Sequence, residues 1–572
     1  MEYIYKYLNK WMNDKNLICV LTLTAIGILV FIINMSGYNF VDNSETKFVT
    51  IAKDMLNNNN WVHIRLGNEI FFDLSPLYFW IVNFSCVIFG KISQETVRLP
   101  ISLAVIGGIF GLYFTIKPIL SRIHALIISI MFASSLGIMI YSRFSTPDML
   151  FVVLSMAALL FGYSAIFSKH EDKSKMLFAV YLFSAFAVLT GGLFGLLPLI
   201  SMIFMYVFTG DLKELIKPKN LFPGLIAFFI AVLPWYIFMF CGYGFWFYLK
   251  KFLDAYNIFK YSGLKEMAEM LWYFVLGFSP WIFSFLWVLG YRSNNIYHSI
   301  ISYFKDNSQD KLKSKWNKLK RTDKFISLST IIFFISFIAA FFFGAKYKFL
   351  TLFLIFPAAC ISGHYWYEYI IMVKHRKSIF FSTIIPNLIM IMFSLIGLFG
   401  HNILNRLLFQ GLNHLLIPLI IIFFAIPVMG IFSVIVEGKK VPFAANVILM
   451  ISLSFVITPS IFNFISINRG ENDLISFAAI ANKDDAPITA YISSKKYSLE
   501  YYYDKPVQFI ERQGVEKLKE YLENNPDTYV VVEIRDMFKV EESEIKHILL
   551  SSGKIYCLIK YSNLKQNEKE NA

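Results

Sequence analysis

The sequence predicts an all-α polytopic membrane domain followed by a small α/β domain, on three observations. Of 572 residues, 57% are hydrophobic and only 16% are charged, against about 25% charged in a soluble domain; the mean hydropathy is +0.56. Apolar runs of about 20 residues, enough to cross a bilayer core, recur along most of the chain. After residue 467 these runs stop, and strand-like and helix-like segments alternate.

The first run, 17–37, follows Lys6, Lys10 and Lys15. It shows no small-residue cleavage site and reads as a retained span. Further runs lie at 76–90, 101–118, 123–142, 149–167, 176–190, 192–209, 221–241, 271–290, 325–343, 349–373, 379–400, 415–436 and 443–465. The run 76–90 is short and flanked by polar loop. If it lies along the membrane surface and the N-terminus is inside, the turn with Lys117 and Arg122 faces inward. So do Lys169 to Lys175, Lys213 to Lys219, Lys305 to Lys324, Lys374 to Lys377, and Lys439-Lys440. That is the positive-inside arrangement, and a crossing at 76–90 would invert all of it. About thirteen spans result. The loops 38–100, 143–148, 242–270 and 344–348 then share the outer face with the C-terminal part.

The expected division is a membrane domain at 1–467 and a periplasmic α/β domain at 468–572. In the latter, Pro487 to Ile492 reads as a strand, and Gly514 to Asn525 as a helix with Val515, Leu518 and Leu522 on one face. Tyr529 to Ile534 reads as a buried strand, Glu541 to Leu550 as a helix, and Lys554 to Tyr561 as a strand.

The net charge of +14 resides in short loops between spans, which argues against a nucleic-acid partner. Cys19, Cys86, Cys241, Cys360 and Cys557 are widely spaced and form no disulfide or metal framework. There is no glycine-rich phosphate loop or dinucleotide fingerprint. A secondary transporter would show paired halves with broken helices, and no matched halves are evident.

The chemistry-bearing residues gather on the outer face. Phe48, Ile51, Ala52 and Met55 follow helical spacing, so 48–55 reads as an amphipathic helix at the interface. Asp42 and Glu45 precede it, either as acids of a capped first turn, with Asn43 or Ser44 as the cap, or as site carboxylates. Asp148, after Pro147, either caps the next span or belongs to a site; Arg143 precedes it, and charge at the mouth of a span tends to be functional. Asp73 stands among the aromatics Phe72 to Trp80. Anchoring at the interface explains the aromatics but not the acid. A divalent cation near Asp73 or His63 is a further expectation, and no other cofactor is expected.

The order of these elements resembles the first outer loop of polyprenyl-phosphate-dependent glycosyltransferases, such as lipid A aminoarabinose transferases and protein O-mannosyltransferases. The matching residues are Asp42-Asn43-Ser44-Glu45-Thr46-Lys47-Phe48, Ile51-Ala52-Lys53-Asp54-Met55, Trp61-Val62, Phe71-Phe72-Asp73, Pro76-Leu77-Tyr78-Phe79-Trp80, Phe89-Gly90 and Arg98-Leu99-Pro100. Further on, Asp148 matches the family's second outer-loop Asp, and Leu189-Thr190-Gly191-Gly192 sits at its Thr-Lys-Gly. Pro234-Trp235 and Pro280-Trp281 match Pro-Trp pairs, and Gly344-Ala345-Lys346 with Pro357 resembles a Ser-x-x-Lys…Pro segment. The sequence departs where the family's first-loop Asp is Ser44, its Lys and Pro are Leu74 and Ser75, and the Lys of Thr-Lys-Gly is Gly191.

The resemblance implies the C-type glycosyltransferase fold and a bacterial inner-membrane enzyme with its C-terminal domain in the periplasm. It would move a sugar from a polyprenyl-phosphate donor to lipid A, another envelope glycan or a protein, with membrane lipid around it. Asp148 would be base or orienter, helped by Glu45 or Asp42. Arg143, Lys346 and Lys260 would be the phosphate cations; the alternative for each is a lysine or arginine snorkelling to the interface. The competing expectation is a non-catalytic relative that binds or translocates a polyprenyl lipid.

Overall fold

The computed structural model describes residues 15–561 apart from 43, 68, 169–171, 256–262, 291–308, 345, 373–375, 400–423, 433, 435, 437–439, 504 and 512–513. The chain forms two compact units. The first comprises 1–35, 72–85 and 98–458; the second comprises 36–71, 86–97 and 459–572.

In the first unit, six helices among the described residues are long and apolar enough to cross a membrane: Gln94–Ile119, Pro147–Phe167, Lys173–Thr209, Pro218–Tyr243, Arg321–Phe343 and Lys348–Met372. Leu77–Phe89 is among the shorter apolar helices. At 1.5 Å per residue it falls short of a bilayer core. Half of the expected run 415–436 lies outside the described residues.

Three long apolar stretches are broken, each for a local reason. Lys173–Thr209 would measure about 55 Å as one straight helix, but Gly192 has φ +62°. The backbone of Gly195 lies against the backbone of Val188, where a Cβ could not fit. Seven residues of straight helix would separate those positions by about 10 Å, so the chain turns here, between 176–190 and 192–209 as expected. The run 123–142 divides into Arg122–Ala133 and Leu136–Tyr141; the Ser134 and Ser135 hydroxyls donate back to the carbonyls of Ile130 and Met131, a habit that bends helices. The run 271–290 bends by 111° between Leu264–Gly277 and Ile282–Gly290. Pro280 lacks the amide that a continuous helix needs there.

In the second unit, a hairpin of β1 (Arg65–Leu66) and β2 (Glu69–Ile70) lies apart from a five-stranded sheet. The sheet strands are β3 (Ile488–Ile492), β4 (Gln508–Glu511), β5 (Tyr529–Glu533), β6 (His547–Ser552) and β7 (Tyr556–Tyr561), in the order β4-β3-β5-β7-β6. β3 pairs parallel with β4 and β5, while β7 runs antiparallel to β5 and β6. The β3 and β5 strands are buried throughout, which is why they read as continuous apolar runs.

Two expectations change here. The helix expected at 541–550 is Met537–Glu542 followed by strand β6. Ile548, Leu549 and Leu550 are exposed on that edge strand, so no alternation marked it as a strand. The amphipathic helix is Thr46–Asn57, but its apolar face does not lie open to a bilayer. Val49, Ile51, Ala52 and Met55 are fully buried and the helix packs on Tyr497–Tyr502. Lys53 Nζ donates to the Tyr501 carbonyl at 2.8 Å, and Phe40 meets the Tyr501 ring edge-on at 5.1 Å.

Candidate active site

In the first unit, a short extended stretch positions Asp73 and Ser75 ahead of helix Leu77–Phe89. Its anchor is Tyr78, buried without exposed surface. The Tyr78 hydroxyl lies 2.7 Å from the Ser145 carbonyl, to which it donates, and 2.8 Å from the Ser145 hydroxyl. This ties the Asp73 segment to the loop 142–146 that leads into Asp148. Ser75 Oγ lies 3.1 Å from the Tyr236 hydroxyl, and Phe72 packs edge-on against Tyr243 and Phe247.

Asp148 stands in the first turn of helix Pro147–Phe167, behind a proline at its start. Proline is pre-shaped for that position. The carboxylate is half-buried and lies near Thr146 and the start of helix Lys348–Phe353. The Lys348 ammonium rests 3.7 Å from the centre of the Tyr273 ring. Two residues earlier, Lys346 Nζ reaches Asp73 Oδ1 at 3.7 Å. One segment, 346–349, therefore supplies a cation to Asp73 and lies near Asp148.

The structure brings Asp73 and Lys346 together as a pair, and two residues on it seats Lys348, which sequence reasoning missed, over the Tyr273 ring. The signal was present as Lys346-Tyr347-Lys348 in a polar break between apolar runs, of which only Lys346 was singled out. Lys260 lies outside the described residues. Arg143 is corrected: its side chain is wholly buried. Its Nε, Nη1 and Nη2 donate to the carbonyls of Val30, Ser454 and Ile33 at 2.6, 3.0 and 3.3 Å. A guanidinium so engaged ties residues 30–33 and residue 454 to its own loop and does not offer itself to a phosphate.

Asp42 and Glu45 lie in the second unit. Asp42 Oδ1 accepts from the Ser498 amide at 3.0 Å and hydroxyl at 2.9 Å, and from the Thr46 hydroxyl at 3.3 Å. Lys496 Nζ stands 3.3 Å from Oδ2. Asp42 thus caps the helix Tyr497–Tyr502 from far away in sequence, and its own amide donates to Glu471 at 3.0 Å. Burial pushes the Glu471 carboxyl above its ordinary range, against the pull of that amide. Glu45 is wholly buried, and its Oε2 accepts the Val41 amide at 3.4 Å. The capping expected of Asn43 or Ser44 is not borne out: helix Thr46–Asn57 starts after Glu45 without a side-chain cap bond, Asn43 lies outside the described residues, and Asp42 caps a different helix. Asp73, the proposed metal ligand, faces a lysine, and the described residues contain no group of three or more side chains placed to hold a metal ion.

The two cations absent at 74 and 191 have structural counterparts. Leu74 is buried. A Cβ on Gly191 would approach the Phe151 ring to within 2.4 Å; Phe151 in turn packs on Phe349 at 4.3 Å and Phe349 near Phe194 at 5.9 Å. Aromatic rings fill the space beside position 191.

Residues 73–238 match the family described as dolichyl-phosphate-mannose-protein mannosyltransferase. The fold is similar to that of ArnT from Cupriavidus metallidurans bound to undecaprenyl phosphate: TM-score 0.67 at 14% identity, over 94% of this chain and 97% of that one. The apo state of the same protein matches with a TM-score of 0.66 at 14% identity, over the same shares. The chain has the C-type glycosyltransferase fold. An uncharacterized protein from Aquifex aeolicus is 24% identical over 219 residues, 38% of this chain and 43% of that protein; the chain thus matches less than half the length of that relative. For this multi-pass C-type chain, the matched family segment begins at Asp73 and includes Asp148. It ends before Lys346 and Lys348.

Proposed function

We propose that this protein is an integral-membrane glycosyltransferase. It takes a sugar from a polyprenyl-phosphate donor and transfers it to lipid A, another envelope glycan or a protein at the outer face of a bacterial inner membrane, with the C-terminal domain in the periplasm. The observation that carries this reading is the Tyr78–Ser145 bond, since it joins the Asp73–Lys346 segment to the loop entering Asp148. The family match over 73–238 and the undecaprenyl phosphate bound to ArnT support the donor class.

The acceptor oxygen attacks the anomeric carbon while the bond from that carbon to the donor phosphate oxygen breaks. The phosphate keeps the electron pair. Asp148 takes the proton of an acceptor hydroxyl, or orients an acceptor phosphate that has none to lose. Lys346, released from Asp73, meets the charge growing on the departing phosphate. The buried Leu74 and the aromatic filling beside Gly191 favour a second reading, a non-catalytic polyprenyl-lipid binder.

The test is transfer of radiolabelled sugar by the purified chain in nanodiscs, from a polyprenyl-phosphate donor to envelope lipid or glycan acceptors. Turnover that Asp148→Asn abolishes supports the enzyme. Donor binding without turnover supports the second reading. Absence of both overturns the donor class.

A further inference from the structure

We infer that His124 and His364, bonded to each other and flanked by Ser121 and Glu368, form an acid-sensitive latch. It holds the helix Arg122–Ala133 to the span Lys348–Met372 until the pair takes up a second proton. The latch goes beyond the sugar-transfer reading and does not depend on it.

The four residues make one chain of polar contacts within the first unit. His124 Nδ1 lies 2.8 Å from Ser121 Oγ, and His124 Nε2 lies 3.3 Å from His364 Nδ1. His364 Nε2 lies 3.8 Å from Glu368 Oε1. Local sequence sets both ends. Ser121 caps the helix Arg122–Ala133, where its hydroxyl accepts the His124 amide at 3.3 Å. His364, Tyr367 and Glu368 are three and four apart, hence on one helix face. The Tyr367 ring stacks on His124 with centroids 3.3 Å apart. Both imidazoles are buried. From Lys348 to His364 the span runs about 24 Å, so the cluster is remote from Asp73 and Lys346.

Proton counting decides what such a chain can do. A neutral imidazole offers one donor and one acceptor; a charged one offers two donors. With both rings neutral, the Ser121 hydroxyl donates to His124 Nδ1, His124 Nε2–H to His364 Nδ1, and His364 Nε2–H points at Glu368. One proton added to His364 reverses the chain without breaking it. His364 Nδ1–H then donates to His124 Nε2, His124 Nδ1–H donates to Ser121 Oγ, and Glu368 faces the new charge. A second proton sets N–H against N–H between two buried cations. The contact that joined the helices becomes repulsive.

The elements packed on these helices carry further ionisable residues. The span Arg321–Phe343 joins Lys348–Met372 through a short turn, so its Arg321, Asp323 and Lys324 lie toward the latch end. Arg321 and Lys324 rest on the rings of Phe167 and Trp316. Helix Lys15–Gly27 begins with Lys15 and holds the buried Cys19; helix Arg376–Phe399 begins with Arg376 and Lys377. Arg122 neighbours Ser121, and Tyr365 meets the His364 ring edge-on at 5.8 Å. Glu368 stands within ion-pair range, and one carboxylate offsets one proton, not two. A free imidazole titrates near 6.5. Below about that pH the opened pair takes two protons and the closed pair one, so acid favours opening about tenfold per pH unit.

The test is hydrogen exchange of the full chain in nanodiscs, corrected for intrinsic exchange, from about pH 7.5 to about pH 5.5. Peptides from 122–133 and 360–372 should exchange about tenfold faster or more at the acid end, while Pro147–Phe167 stays unchanged. His124→Gln and His364→Asn each replace one ring by a neutral amide that still reaches its partner. Neither variant can hold two protons on the pair, so the acid rise should vanish while protection near neutral pH is kept. A rise equal in wild type and variants, or no rise in wild type, overturns the inference. Thermal unfolding identifies a variant that has lost its fold, and the other variant then decides. If both are lost, the wild-type contrast between 122–133 with 360–372 and Pro147–Phe167 decides.

Discussion

The Tyr78 hydroxyl donates to the Ser145 carbonyl at 2.7 Å, and this one bond sets Asp73 and Asp148 within the same structural frame. Tyr78 is buried, so Tyr78→Phe keeps the ring packing and removes this one bond, at a cost of about 0.5–1.5 kcal/mol. The larger effect falls on placement, since a shift of about 1 Å at a reacting centre costs on the order of 100-fold in rate. The expected result is a fall in kcat of about 10- to 100-fold with donor affinity retained. An unaltered kcat in the reconstituted transfer assay would separate this bond from the site.

Asp148→Asn keeps the shape of the side chain and removes its charge. Positioned acid–base groups contribute about 10²–10⁴-fold, so turnover should fall by that range. Binding of polyprenyl phosphate, followed by native mass spectrometry, should remain, because Asp148 attracts no phosphate. A matching loss of binding would show that the acid shapes the donor site instead.

Arg143 makes a different prediction. Its three nitrogens donate to the carbonyls of residues 30, 33 and 454, and Arg143→Met would remove all three bonds, leaving the Val30 carbonyl only the Ser454 hydroxyl among the donors described. Each bond to a charged donor is worth about 1.5–3 kcal/mol. Folded yield and the thermal unfolding midpoint should fall sharply. Any surviving protein should bind donor with near-normal affinity, since the guanidinium faces no ligand. A phosphate ligand would behave in the opposite way, with stability kept and affinity lost.

The long apolar helices and the strands β3, β5 and β7 were legible because burial in lipid or between layers leaves uninterrupted apolar runs, whereas the breaks within 123–142 and 271–290 were not. Contacts between distant parts of the chain were not legible. Nothing near Asp42 in sequence announces that its partner is the amide of Ser498, and the burial of the helix 46–57 depends on Tyr501 and its neighbours. Strand β6 misled because its exposed Ile548, Leu549 and Leu550 lie side by side where a half-buried strand would alternate. At the site, the types Asp148, Asp73 and Lys346 could be read from the sequence. That Arg143 is not a free cation there could not, because it depends on the carbonyls of residues 30, 33 and 454.

Asp42 tests capping against catalysis. Asp42→Asn retains an oxygen acceptor for the Ser498 amide and loses the ion pair with Lys496; Asp42→Ala loses both. If Asp42 serves as a cap, the Ala variant should lose about 0.5–2 kcal/mol and speed hydrogen exchange at 497–502. The Asn variant should keep most of its protection and its turnover. Loss of turnover in Asp42→Asn, with protection at 497–502 unchanged, would instead return Asp42 to the chemistry.

The last prediction concerns pH and the sheet of the second unit. Burial acts to raise the Glu533 carboxyl, but the Ser493 hydroxyl and amide and the Arg535 guanidinium outweigh it and hold the pKa below the ordinary 4.5. The Ser493 amide donates to Glu533 Oε1 at 2.9 Å, and Arg535 Nε to Oε2 at 2.5 Å. A lowered folded pKa means that the ionised form stabilises the fold. The contribution is therefore complete above about pH 4.5 and fades as pH falls through the lower folded value. Glu533→Gln should increase hydrogen exchange across Tyr529–Glu533 in the full chain at pH 7, and the difference from wild type should shrink as the pH is lowered below 4.5. A difference that is constant or grows toward acid would mean that the charge of Glu533 does not hold the ends of β3 and β5 together.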